Sequence, residues 1–286
     1  MILYQYSGRF PMRRLLRADI HSLFLDKVFI ALAVFSFVLG LTLPVLGLVN
    51  EIRYNEYKEF EDYFFFFLPV FSLMISSYVS IFVGKSFDWG TVKNKITVGH
   101  SRRDIYLSFL IVSMVGTLVF IALFLIPYSV FGSLVYEDMS ISFKALVLVL
   151  ISAVLVLLSV TAISVALMET IGSRVISMIV SLFVVFALLL IGNYAEELLN
   201  EPEMISNSMI MVDGAFQFAD SYPNPRFLAE SKRWIYEALR DATLGGQMSQ
   251  IMSMECNWIR VSLYSVFSSI LATLVGCIIF SRKDLK

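Results

Sequence analysis

Charge, histidine and cysteine are all scarce in this chain of 286 residues. Asp, Glu, Lys and Arg make up 16% of it, where a soluble globular protein carries about a quarter. Apolar residues reach 58%, and Phe alone numbers 25. That balance excludes a soluble domain and points to a membrane protein. The two cysteines, Cys256 and Cys277, fall near opposite ends of one apolar run. Helix rise separates them by about 30 Å, beyond disulfide reach. The two histidines, His21 and His100, have no metal-ligand spacing and cannot complete a Ser-His-Asp or Cys-His set. No basic patch interleaved with aromatics offers a nucleic-acid surface.

The apolar runs lack ionisable residues as well. With the spans drawn below, only Arg260 falls inside one, close to its edge. Ion-coupled transporters place acids or bases at mid-membrane. If this chain moves a cargo against a gradient, its energy is expected from another protein.

What is present is six apolar runs, each near the roughly 20 residues that cross a bilayer. They are Val28–Val49, Tyr63–Val83, Ile105–Phe131, Ala145–Met168, Val175–Ala195 and Trp258–Phe280. The first is too long for a signal-peptide core and lacks a small-x-small cleavage site, so it is expected to remain as a span. Lys and Arg concentrate in residues 1–27, in 84–104 and in the tail after Phe280. Acids crowd the connector 50–62, as Glu51, Glu56, Glu59, Glu61 and Asp62, with Glu137 and Asp138 in the next connector on that side. The positive-inside rule then places both termini in the cytoplasm. The expected fold is an all-α membrane protein with six transmembrane helices. Residues 1–27 form a cytoplasmic amphipathic helix for the interface, from Leu16, Ile20, Leu23 and Phe24 on one side and Arg13, Arg14 and Arg17 off it. Residues 28–195 hold spans one to five, 196–257 an extracellular helical segment, and 258–286 span six and the tail. The run Phe64-Phe65-Phe66-Phe67 is expected at the outer interface or just inside it.

The polar loop between spans two and three, Gly84 to Ser108, organises the rest. It carries Lys85, Lys93, Lys95, Arg102 and Arg103 against Asp88 and Asp104, with turn-forming Gly84, Gly90 and Gly99 around a helix-capable piece, Thr91 to Thr97. On charge alone it is a solvated cytoplasmic loop; as a short projecting helix it is also shaped to dock into a groove on a soluble partner. Gly90-Thr91-Val92-Lys93-Asn94-Lys95-Ile96, then Gly99-His100-Ser101-Arg102 and Ile105-Tyr106-Leu107-Ser108, resembles permease subunits of ABC exporters of the "ABC-two" class. The six-span layout and the closing Phe280-Ser281-Arg282-Lys283-Asp284-Leu285-Lys286 fit that resemblance. Asp88 stands two residues before Gly90, closer than in that family. The resemblance implies a permease in a bacterial plasma membrane, working with a second permease copy and separately encoded ATPase subunits. ATP and Mg would then be bound by the partner, with no cofactor in this chain. It also implies ATPase-coupling roles for Asp88, Gly90, Thr91, Lys93, Asn94, Lys95, Arg102 and Arg103, with a second, smaller contact in the turn Glu169–Arg174.

Other features stay open between packing and transport. Ser72, Ser76 and Ser80 form a hydroxyl stripe, as do Ser262, Ser265 and Ser269; small residues let helices approach, or they line a mildly polar path for a hydrophobic or amphipathic cargo such as a peptide or lipid. Pro44, Pro69 and Pro127 each remove a backbone hydrogen bond and favour a kink, which either adjusts tilt or shapes an outward cavity. In 196–257 a helix is expected over Arg226–Ala242, ended by Gly245-Gly246. Gly84-Lys85-Ser86 lacks the first glycine of a phosphate-binding loop and follows a membrane helix instead of a strand. A different class of function also fits: a membrane immunity or sensor protein that holds a toxic peptide with its external segment and uses no ATP.

Overall fold

The computed structural model describes residues 12–54, 59–60, 63–136, 141–205, 209–212, 215–218, 221–254 and 257–283. Pro11, Glu56, Glu61, Asp62, Glu137, Asp138, Cys256 and the tail residues Asp284, Leu285 and Lys286 lie outside them. The chain is almost wholly helical. In order come α1 (Met12–Phe24), α2 (Lys27–Tyr54), α3 (Phe67–Asp88), α4 (Thr91–Thr97), α5 (Arg102–Val135), α6 (Phe143–Ile171), α7 (Arg174–Leu199), α8 (Glu230–Ala242), α9 (Leu244–Met252) and α10 (Trp258–Arg282). A short 3-10 turn, Phe64–Phe66, leads into α3. Among the described residues between α7 and α8 are four short strands: β1 (Met204–Ile205) pairs antiparallel with β4 (Tyr222–Pro223), and β2 (Met209–Val212) with β3 (Ala215–Phe218).

Among the described residues, six helices are long and apolar enough to cross a membrane: α2, α3 with its leading turn, α5, α6, α7 and α10. All six expected runs are found, and each helix overruns its apolar run because it continues into polar residues that cap it. Ser101 Oγ accepts from the Asp104 N–H at 3.1 Å, and Ser142 Oγ from the Ala145 N–H at 3.3 Å. Asp26 Oδ1 accepts from the Val28 N–H at 2.8 Å at the head of α2. Such side-chain oxygens satisfy the otherwise orphaned N–H groups of a first turn.

α6 lies at the centre, against α10, α3, α5, α7 and α9, while α2 packs on α5. The span of α3 is 67% buried and that of α10 only 17%. α10, α7 and α2 therefore turn long apolar faces outward, including Phe183, Leu263 and Phe267. That distribution fits a bundle solvated by lipid.

The phenylalanine run at the head of α3 packs mostly inward. Phe64, Phe65 and Phe67 are buried and only Phe66 is exposed. Phe67 packs on Phe124 with ring centroids 4.4 Å apart, and Phe60 and Phe64 meet Tyr128 at 5.4 and 5.0 Å. Pro69 departs from its expected role. It stands in the first turn of α3, where no intrahelical N–H bond exists to lose, so it does not break the helix. Pro44 and Pro127 do sit inside α2 and α5. The two helices cross closely there: a Cβ on Gly40 would stand 2.8 Å from Pro127 Cγ and 2.4 Å from the Phe124 carbonyl oxygen.

The segment between α7 and α10 also differs. Its first helix starts at Glu230, and Gly245-Gly246 lies within a second helix, α9. Those glycines serve approach: a Cβ on Gly192 would stand 2.0 Å from the Gly246 nitrogen, and one on Gly245 2.0 Å from the Leu189 carbonyl oxygen. Backbone therefore meets backbone between α7 and α9.

Candidate functional site

The loop between α3 and α5 folds as the sequence suggests. Gly90 adopts φ +68°, a left-handed conformation that a glycine takes without strain, and the chain turns sharply from α3 into α4. Val92 is buried and Ile96 packs against the core, one helical turn apart, so α4 lies along the bundle on that edge. Thr91 is half-buried. Lys93, Asn94 and Thr97 point away from the bundle, between Trp89 (74% exposed) and Val98 (57% exposed). Sequence reasoning missed both apolar members of this face. The available signal was a tryptophan in a polar loop, where no span needs it.

The basic residues of the loop divide sharply. The Lys95 ammonium donates to both carboxylate oxygens of Asp19 in α1, at 2.7 and 2.9 Å, and lies 4.2 Å from the centre of the Phe109 ring. Ser108 donates to the same carboxylate at 2.7 Å. Arg102 donates to the backbone carbonyls of Phe280, at 3.5 Å, and of Lys283. Asp88 pairs with Arg174 of α7 at 3.2 Å. Lys85 pairs with Asp26 between α1 and α2. Lys95, Arg102 and Asp88 are thus engaged within the chain. Of the cations expected to meet a partner, Lys93 and Arg103 are exposed, and Arg103 turns towards α10.

Burial pushes the Asp26 carboxyl up, but the Lys85 ammonium and the N–H groups of Phe29 and Val28 outweigh it and hold it below its ordinary value. Burial lowers Lys283, against the pull of nearby Glu169. The Lys283 ammonium donates to the backbone carbonyls of Thr170 and Glu169, at 2.9 and 3.3 Å, and so caps the C-terminus of α6. Gly172, at φ +75°, leaves the room: a Cβ there would stand 2.3 Å from Lys283 Nζ.

One finding overturns the expectation that ionisable groups are absent from the bundle apart from Arg260. Helix α6 runs on to Ile171, which draws Glu169 out of the expected turn and into its last helical turn. Its side chain is fully buried, and neither carboxylate oxygen has a hydrogen-bond partner. The turn itself is reduced to Gly172 and Ser173, with Arg174 opening α7. The Tyr106 hydroxyl is likewise buried without a partner, in a notch made by Gly276, whose Cβ would lie 2.5 Å from it.

Ser72, Ser76 and Ser80 are fully buried inside the bundle. Ser72 donates to the Pro69 carbonyl at 2.7 Å and Ser80 to that of Ser76 at 3.0 Å, while the Ser76 hydroxyl is buried without a hydrogen-bond partner. In α10, Ser262 and Ser152 Oγ lie 3.0 Å apart, and Ser265 donates to Gln247 of α9 at 2.9 Å. Asp241 gathers the far end. It accepts from Arg240 at 3.0 Å and Gln250 at 3.2 Å, and its backbone carbonyl accepts from Gln247 at 2.8 Å. Arg260 reaches it at 3.5 Å. This network fastens α8 and α9 onto α10 as a folded cap. Among the described residues, no group of three or more His, Cys, Asp or Glu could hold a metal ion.

Together these features define a multi-pass helical membrane protein with a short helix, α4, packed on one end and a folded cap at the other. No protein-family model matches the chain, and no curated protein matches it.

Proposed function

We propose that the chain is the permease subunit of an ATP-driven ABC exporter, seated in a bacterial plasma membrane with the α4 end in the cytoplasm. The observation that carries this reading is the outward face of α4. Trp89, Lys93, Asn94, Thr97 and Val98 make a compact surface, apolar at its ends and basic between them. Such a surface suits a groove on a soluble ATPase. Behind it, Lys95 ties α4 to Asp19, and Ser108 extends the tie to α5, so a push on α4 reaches α1 and a long span directly. In this reading both termini are cytoplasmic, α1 lies along the inner interface, and the cap faces outward. A second copy completes the pathway for a hydrophobic or amphipathic cargo, and ATP and Mg stay on the partner.

The test is co-purification from the protein's own cells. The wild-type chain should bring down a soluble ATPase, and a variant carrying Trp89→Ala and Lys93→Glu should lose it while keeping its fold. A wild-type chain that arrives without an ATPase yet holds a peptide on its cap favours the immunity or sensor function instead.

A further inference from the structure

We propose that the junction of α5 and α10 is a binding site for an anionic phospholipid. A cavity of about 480 Å³ opens there, lined by Arg103, Leu274, Cys277, Ile278, Ser281 and Arg282. Its wall is sorted along α10. Leu274 and Ile278, both more than half exposed, lie towards the middle of the span, and Ser281 and Arg282 close its end. From Leu274 to Arg282 the helix climbs about 12 Å, enough to separate a charged mouth from an apolar floor.

The mouth is built by a division of labour between neighbours. Arg102 donates to the carbonyls of Phe280 and Lys283, which fixes the start of α5 against the end of α10. Arg103, the next residue, lines the cavity together with Arg282 at the other helix end. Both side chains are exposed, and among the described residues neither has an ion-pair or hydrogen-bond partner. That sets them apart from Lys85, Lys95, Arg174 and Lys283 at the same end, which are all bonded within the chain.

The chemistry selects the occupant. Two guanidinium groups match the oxygens of a phosphate diester, and among the described residues no carboxylate lines the cavity to oppose it. A free anion would leave Leu274 and Ile278 uncovered, whereas an acyl chain covers them. The apolar wall also runs on into the outward face of α10, through Leu271 and Val275, so a lipid reaches the site sideways without leaving the bilayer. The site rests on this geometry alone and does not depend on the permease function.

The experiment uses the full chain in detergent and scores bound lipid by native mass spectrometry. The probes are phosphatidylglycerol, phosphatidylcholine with the same acyl chains, and inorganic phosphate. Phosphatidylglycerol should be retained at least about tenfold better than phosphatidylcholine, and inorganic phosphate should not displace it. The double variant Arg103→Gln, Arg282→Gln should fall to the phosphatidylcholine level. Ile278→Trp, which fills the apolar half and spares both arginines, should also lose retention; it decides the matter if the double variant misfolds. Lys144→Gln, an exposed cation at the opposite end of α6, should change nothing. Undiminished retention in the double variant overturns the proposal. So does equal retention of phosphatidylcholine, which makes the cavity a plain apolar groove, or displacement by inorganic phosphate, which makes it a simple anion site.

Discussion

Lys95 of α4 and Asp19 of α1 form an ion pair at 2.7 Å, although 76 residues separate them in the chain. Both side chains are only 11% exposed, so each charge depends on the other for solvation. Breaking a buried pair by neutralising one member typically costs about 3 kcal/mol, because the other is left uncompensated. Asp19→Asn is therefore expected to lower the thermal midpoint clearly and to increase the labelling of a cysteine placed at the α1–α4 contact by an external thiol reagent. An unchanged midpoint would mean that water already reaches the pair.

Glu169→Gln is expected to behave in the opposite way. The carboxylate is buried without a hydrogen bond, and an unpaired charge in such a place opposes folding. Glutamine keeps the shape and removes the ionisable group, so the midpoint should hold or rise. A fall comparable to that of Asp19→Asn would show that attraction from Lys95 and Lys283 outweighs the cost of burial.

The contact at Gly276 predicts an overpacking effect. A Cβ there meets the Tyr106 hydroxyl at 2.5 Å and Ala166 Cβ at 2.7 Å. Gly276→Val should destabilise by about 1–3 kcal/mol. Adding Tyr106→Phe removes the clashing oxygen and should restore part of the loss, measured as the coupling in a double-mutant cycle. Strict additivity of the two changes would place the strain elsewhere.

Asp26 predicts a pH dependence. Its carboxyl is held below its ordinary 3.8 in the folded chain, so its stabilising effect is present above that value. The effect is lost as pH falls from there through the folded-state value. Midpoints measured against pH should therefore drop less steeply in this acid range for Asp26→Asn than for the wild type. Parallel curves would remove Asp26 from the acid response.

Most of the helical frame was legible because runs such as Val175–Ala195 leave no alternative in lipid, and α4 was legible because Gly90 and the turn at Gly99 bracket a short helix-forming piece. Pairings across the bundle were not. Nothing near Asp19 announces Lys95, and Lys95 in a basic loop looks like any solvated cation until α1 is laid beside it. Glu169 was misplaced by one turn: hydropathy falls at Glu169, but the helix ends only at Gly172, where the backbone can turn left-handed. Gly245-Gly246 was misread for a related reason, since a glycine pair that punctuates a chain and one that admits a neighbouring backbone are identical in sequence. The outward face of α4 was half visible, through Lys93 and Asn94, while Trp89 needed the fold to show that it is left uncovered.

The bare backbone contact of α7 with α9 has a mechanical consequence. With no side chain between them to act as a cushion, the two cannot slide without collision. α7 is a rod of 26 residues, about 39 Å long, anchored at its near end through Arg174 to Asp88 beside α4. A tilt imposed at that anchor is carried along α7 to the cap at its far end.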